Sequence, residues 1–219
     1  QEKFYAGGRI PGGFFKKELV VIGGHSGGGK SYLAGQLVYN IARNGFKCGY
    51  FSLEISSEMV VSRMVGALAN IKPTIIRMGL QLTPEEQIAK AQAKADVEIL
   101  NDNIFLYDDI YELEKILPEI EKHKFDFVVV DFIQNVITSG DKDEYSRLSR
   151  VALELQKAAK QYDCMILALS QLSNQVAREG SKGKVLEYKG SGSIATVADL
   201  GFFIDRENTE WVPNQDTLL

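Results

Sequence analysis

Gly24-His25-Ser26-Gly27-Gly28-Gly29-Lys30-Ser31 stands directly behind Glu18-Leu19-Val20-Val21-Ile22-Gly23, and the junction of the two decides the fold. The upstream run is short, apolar and rich in β-branched residues, as a strand buried on both faces of a parallel sheet reads. Downstream, from Lys30 to about Arg43, Leu33, Leu37, Val38 and Ile41 recur at helical spacing, and Gly45 supplies the stop. Strand, glycine loop and helix in this order match the Walker A pattern. Its glycines turn backbone N–H groups toward phosphate oxygens, and the helix N-terminus adds a favourable dipole. The pattern makes Ser26, Gly27, Gly28, Gly29, Lys30 and Ser31 nucleotide-binding residues. Lys30 is expected to reach the β- and γ-phosphates and the Ser31 hydroxyl to ligate Mg²⁺. ATP and Mg²⁺ are the cofactors implied.

Outward from this loop the alternation continues. Strands are predicted at Cys48 to Leu53, Ile104 to Tyr107, Phe127 to Val130 and Met165 to Leu169. Helices are predicted at Ser57 to Leu68, Pro84 to about Ile99, Glu112 to Lys122 and about Tyr145 to Tyr162. Thr83, Pro84 and Glu86 provide an N-cap, a first-turn proline and a capping-box acid for the second of these. Strands separated by helices of this length imply right-handed crossovers and a mostly parallel sheet, so the fold class is α/β. Two stretches resist regular assignment, Thr138 to Glu144 and Ser173 to Gly192; the second carries Arg178, Lys182, Lys184 and Lys189. Both follow strand C-termini, the edge where open α/β sheets bind ligands.

Length and composition narrow the class. The 219 residues favour one domain, and 45% hydrophobic with 25% charged residues is ordinary for a soluble globular chain. A net charge of −4 gives no overall attraction to nucleic acid, so such a partner would need a local basic patch. Cys48 and Cys164 lie in apolar strand contexts and read as small buried hydrophobes rather than a disulfide or metal pair. No apolar run is long enough to span a bilayer and no leader precedes the first strand, so an intracellular, soluble protein without a membrane partner is expected.

Three strand ends carry candidate chemistry. Val128-Val129-Val130-Asp131 is an apolar strand ending in an acid, as Walker B requires, which puts a Mg²⁺-holding carboxylate opposite Ser31. Phe51-Ser52-Leu53-Glu54 ends another strand in an acid. Glu54 either orients and deprotonates the attacking water or merely opens a helix where the dipole suits it. Leu169-Ser170-Gln171 ends a third strand in an amide that is either a γ-phosphate contact or a solvent-facing polar end.

Taken together these segments resemble the C-terminal ATPase domain of DnaB-type hexameric replicative DNA helicases, which are RecA-like. The resemblance rests on Phe51-Ser-Leu-Glu-Ile-Ser-Ser-Glu58 with Ser62-Arg63-Met64, on Val130-Asp-Phe-Ile-Gln134, and on Leu169-Ser-Gln-Leu-Ser173 with Gly190-Ser-Gly-Ser-Ile194 and Ala198-Asp199. It runs from about Gly12 to Arg206, leaving residues 1–11 as a linker and 12–219 as the ATPase domain. It implies that Glu54 is the catalytic base, Arg63 a nucleotide-contacting arginine, Asp131 the Mg²⁺ acid and Gln171 the γ-phosphate sensor, with Lys30 in the catalytic set. It further implies a homo-oligomer, a hexameric ring, gripping single-stranded DNA in its channel through Arg178, Lys182, Lys184, Lys189, Gly190 and Gly192. A primase, a helicase loader, 5′-3′ polarity and a bacterial or phage-infected cytoplasm come with the resemblance.

Three departures qualify it. Lys189 and Gly190 stand where much of the family has an arginine and a glutamate, so the cation is kept and the acid lost. The family's arginine finger lies on a strand beyond Leu219, with Arg206 after the predicted Phe202 to Asp205 strand as stand-in. No helical N-terminal domain of the family's usual kind precedes Gly12 and Gln1 is an odd first residue, so a fragment is expected, and the position of the arginine-finger strand implies that its last strands are missing. Two rival readings stay open: a RecA- or RadA-like recombination ATPase that coats DNA, and a KaiC-like signalling ATPase without DNA function.

Overall fold

In the computed structural model, residues 3–4, 14–141, 143–171 and 192–204 are described. A two-residue strand β1 (Lys3–Phe4) pairs antiparallel with β2 (Phe14–Phe15). The apolar run ahead of the glycine loop is β3 (Leu19–Gly24), buried along its whole length, and α1 (Lys30–Ala42) follows the loop. Then come β4 (Cys48–Ser52), α2 (Ser57–Leu68), α3 (Pro73–Met78), α4 (Pro84–Glu98), β5 (Ile104–Tyr107) and α5 (Leu113–His123). The chain continues through β6 (Phe127–Asp131), a short 3₁₀ turn (Ile133–Asn135), α6 (Glu144–Gln161) and β7 (Met165–Gln171). It is described again from α7 (Gly192–Val197) to β8 (Leu200–Ile204).

β3 to β8 form one six-stranded sheet in the order β5-β4-β6-β7-β3-β8, and every pairing in it is parallel. Because side chains alternate along a strand, each strand feeds two cores. Val20, Ile22, Cys48, Tyr50, Phe127, Val129, Leu167 and Leu169 pack with α1, α2 and α4 on one face. Val21, Phe51, Val128, Val130, Ile166 and Ala168 pack with α5, α6 and α7 on the other. Helices on both faces of a parallel sheet bear out the α/β expectation.

The differences from the sequence reading have local causes. β7 runs on to Gln171, past the predicted end at Leu169, because Ser170 and Gln171 keep register with Gly23 and Gly24 of β3. α3 has no counterpart in the sequence reading; with six residues it is too short to show a helical period, although Pro73 in its first turn and Gly79 at φ 61 mark its ends. α7 is equally short, and Gly192, the expected end of an irregular stretch, is its first residue. The predicted capping box is formed, with Thr83 Oγ1 accepting from the Glu86 N–H and Glu86 Oε2 accepting from the Thr83 N–H.

Candidate nucleotide site

The loop between β3 and α1 is shaped for an anion. Gly27 and Gly29 have φ 76 and 95, a left-handed backbone that glycine adopts without strain, and a Cβ on either would meet nothing within 4 Å. α1 has no side-chain cap and no acid in its first turn, so its leading N–H groups keep their donors for a ligand. Lys30 is 3% exposed and folds back, its Nζ donating to Gly24 O and His25 O at 2.8 Å each. The same ammonium lies 5.2 Å from the centre of the Phe132 ring. Burial pulls the Lys30 pKa down, and the nearby carboxylates of Asp131 and Glu54 push it back up. A cation whose hydrogen bonds among the described residues go to its own loop's carbonyls is free to exchange them for phosphate oxygens.

Asp131 ends β6 at 1% exposure. Burial raises its pKa; the Tyr50 and Ser31 hydroxyls and Arg63 favour the carboxylate, while Glu54 disfavours it. Tyr50 Oη donates to Asp131 Oδ2 at 2.6 Å, whereas Oδ1 is buried and accepts no hydrogen bond among the described residues. An orphaned buried carboxylate oxygen beside a serine hydroxyl is a hard-oxygen pair of the kind Mg²⁺ takes, the rest of its shell coming from water and phosphate. The residues present therefore fit both a nucleotide phosphate and a divalent cation.

Glu54 sits in the turn after β4, exposed, yet close enough to affect both Lys30 and Asp131. That turn is pinned from several sides. Ser52 Oγ donates to Ile55 O at 2.6 Å, Asn135 Nδ2 to Leu53 O at 3.0 Å and the Leu53 N–H to Asp131 O at 2.7 Å. Asp108, just past β5, accepts from the Ser57 N–H at 2.7 Å and so fixes the start of α2. α2 carries Arg63, half-buried, whose charge reaches Asp131, Tyr50 and Tyr32. Arg63, which residue pattern alone would leave as a surface charge, thus joins the cluster.

Gln171 lies beside Gly24 in the sheet, so it borders the loop as expected. Its N–H donates to Gln134 Oε1 at 3.3 Å, and Gln134 Nε2 donates to Gln171 O at 3.1 Å and Ser170 Oγ at 2.8 Å. Arg147 Nη1 in turn donates to Gln134 O at 2.9 Å. Gln134 is thus a staple between the ends of β6 and β7.

Tyr50, Gln134 and Asn135 are the contributors that residue reasoning does not single out. Tyr50 carries a usable signal, since a tyrosine inside a buried strand needs a partner for its hydroxyl. The other two carry none, because their partners lie 36 to 82 residues away.

The Thr138 to Glu144 stretch is tied down where described. The Thr138 hydroxyl bonds the Asp141 carboxylate, Ser139 Oγ donates to Glu114 at 3.0 Å, and Arg150 donates to Ser139 O at 2.8 Å. Asp143 caps α6, and Glu144 belongs to that helix. Arg178, Lys182, Lys184, Lys189, Gly190 and Arg206 lie outside the described residues.

Residues 3–217 match the family model described as the DnaB-like helicase C terminal domain. The chain belongs to that family. Among curated members, the replicative DNA helicase DnaB of Treponema pallidum is 28% identical over 209 residues, covering 92% of this chain and 46% of that protein. The DnaB of Geobacillus stearothermophilus is 27% identical over 209 residues, covering 91% and 45%. The chain thus spans about half the length of the curated relatives it matches. Its fold is that of a solved ATPase domain, at TM-score 0.84 and 22% identity over 94% of this chain and 77% of that one. It also matches a DnaB-like replicative helicase whose structure was described with its primase interactions, at TM-score 0.80 and 23% identity over 91% and 49%. Among the described residues no helix is long and apolar enough to cross a membrane.

Proposed function

We propose that this chain is the motor domain of a replicative DNA helicase, hydrolysing ATP with Mg²⁺ between its copies to translocate 5′-3′ on single-stranded DNA and unwind duplex. The observation that carries the reading is the convergence of Lys30, Ser31, Glu54, Asp131 and Gln171 at one edge of the sheet, in a chain of this family.

The residues divide the work by position and charge. The backbone N–H groups of Ser26 to Ser31 cradle the phosphates, and Lys30 leaves its two carbonyls to neutralise them. Ser31 and Asp131 hold the cation; Arg63 contacts the nucleotide. Bound Mg²⁺ and ATP supply the scissile anhydride and the charge that offsets it. Glu54, at the open mouth of the cluster, takes the proton from the attacking water. Gln171 senses the γ-phosphate, and Gln134 passes a change in its position to the β6 end. Arg178, Lys182, Lys184, Lys189, Gly190 and Gly192 grip the DNA backbone, and Arg206 serves a neighbouring copy's site. A hexameric ring, a primase and a loader complete the assembly we propose.

Lys30→Ala tests the site and removes nucleotide binding. Imaging by negative stain with an ATP analogue and single-stranded DNA tests the assembly and is expected to show rings. Filaments on DNA would move the reading to a recombination ATPase, and turnover indifferent to DNA to a signalling ATPase.

A further inference from the structure

Tyr50 packs a buried hydroxyl against this cluster. It stands on β4 opposite Val129 of β6, on the face packed by α1 and α2. Val129 and Asp131 share that face by strand alternation, so Tyr50 and Asp131 are diagonal neighbours, and a phenol is long enough to bridge such a diagonal. It does so at 2.6 Å, Oη to Oδ2. Both ends are sealed: Tyr50 is 0% and Asp131 1% exposed. The second carboxylate oxygen, Oδ1, accepts no hydrogen bond among the described residues.

We propose that Tyr50 is a positioning residue for the metal: its hydroxyl holds Asp131 Oδ2, sets the rotation of the carboxylate and reserves Oδ1 for a divalent cation or its water. The inference rests on the reading of Asp131 as the metal-holding acid. The terminal torsion of an aspartate is broad, so an unanchored carboxylate samples a wide arc. Mg²⁺ demands near-octahedral geometry and tolerates little of that arc. Partners that orient ligating groups typically change metal affinity by about 10- to 100-fold. A phenylalanine at position 50 would fill the same volume and donate nothing, which isolates the hydroxyl.

The test is Tyr50→Phe in the full chain, read by binding of a fluorescent non-hydrolysable ATP analogue as Mg²⁺ is titrated from an EDTA baseline. Metal-free binding is expected to stay within about twofold of the parent, while the Mg²⁺ concentration giving half of the metal-dependent enhancement rises about tenfold or more. In an Asp131→Asn background the same substitution should add nothing, because Tyr50 acts only through that carboxylate. A parental Mg²⁺ titration for Tyr50→Phe overturns the inference, as does an undiminished effect of Tyr50→Phe in the Asp131→Asn background. If Asp131→Asn alone titrates like the parent, the reading of the metal site fails, and the inference with it. Should Tyr50→Phe melt below the assay temperature, Tyr50→Met, which also lacks a hydroxyl, carries the same comparison.

Discussion

Gly24 is both the last residue of β3 and the first of the phosphate loop, and Gly24→Ala probes the contact between the two. It lies opposite Ile204 of β8, and a Cβ there would stand 2.9 Å from Ile204 O and 3.5 Å from Cγ and Cδ of Lys30. Carbon-to-carbonyl-oxygen contacts in sheets lie at about 3.3–3.6 Å, so the two strand ends must part by roughly 0.4–0.7 Å. The obstructing atom is backbone and cannot swing aside, but among the described residues β8 is at the edge of the sheet and yields at one side. Overpacking usually costs about 1–3 kcal/mol, and the lower half of that range is expected here. For a domain of this size that lowers Tm by roughly 2–8 °C. The displaced Gly24 carbonyl is one of the two acceptors of Lys30, so the ammonium shifts too. A loss of about 1 kcal/mol there weakens ATP-analogue binding about fivefold. Calorimetric melting and fluorescence titration measure the two effects. Gly27→Ala separates the β8 contact from the loop itself: its Cβ meets no protein atom within 4 Å, so it adds a left-handed backbone cost of about 1–2 kcal/mol in the phosphate cradle and leaves β8 in place. Parental Tm and affinity for Gly24→Ala would refute the seating of β8 against the loop.

Glu54→Gln should bind ATP like the parent and turn it over about 100-fold more slowly, measured by phosphate release; normal turnover would remove Glu54 from the mechanism. Lys189→Ala should weaken single-stranded DNA binding and lower the slope of log affinity against log salt by about one, with nucleotide affinity unchanged. An unchanged slope would detach Lys189 from DNA. The thiols of Cys48 and Cys164 are fully buried, and burial pushes both up, Cys164 to about 12. Neither should react with Ellman's reagent at pH 8 before denaturant is added, and both should react after it; rapid labelling of the native chain would contradict their burial.

Whether a feature of this protein is legible in its residues depends on how close its partners are along the chain. The phosphate loop is legible because Gly24 to Ser31 are consecutive, and their glycines, lysine and serine act through backbone placed by the flanking strand and helix. The acids at 54 and 131 are legible as strand ends, since a parallel sheet brings the C-terminal tips of its strands to one edge whatever their order. Gln171 is legible as a strand end in the same way, while Arg63 comes from the family resemblance alone, and both border the cluster. Strand order needs the fold, because β3-α1-β4 and β6-α6-β7 share one strand-helix-strand pattern, yet β6 and β7 are sheet neighbours and β3 and β4 are not. So do the Tyr50 to Asp131 bond across 81 residues, the Gln134 staple and the Asn135 clamp on Leu53. These pairs follow from sheet register, which no single segment contains: Ser52 faces Asp131 and Gln171 faces Gly24 only once β4, β6, β7 and β3 are hydrogen-bonded side by side. Local order along the chain thus names the groups the site has, while register between distant strands settles which of them hold one another in place.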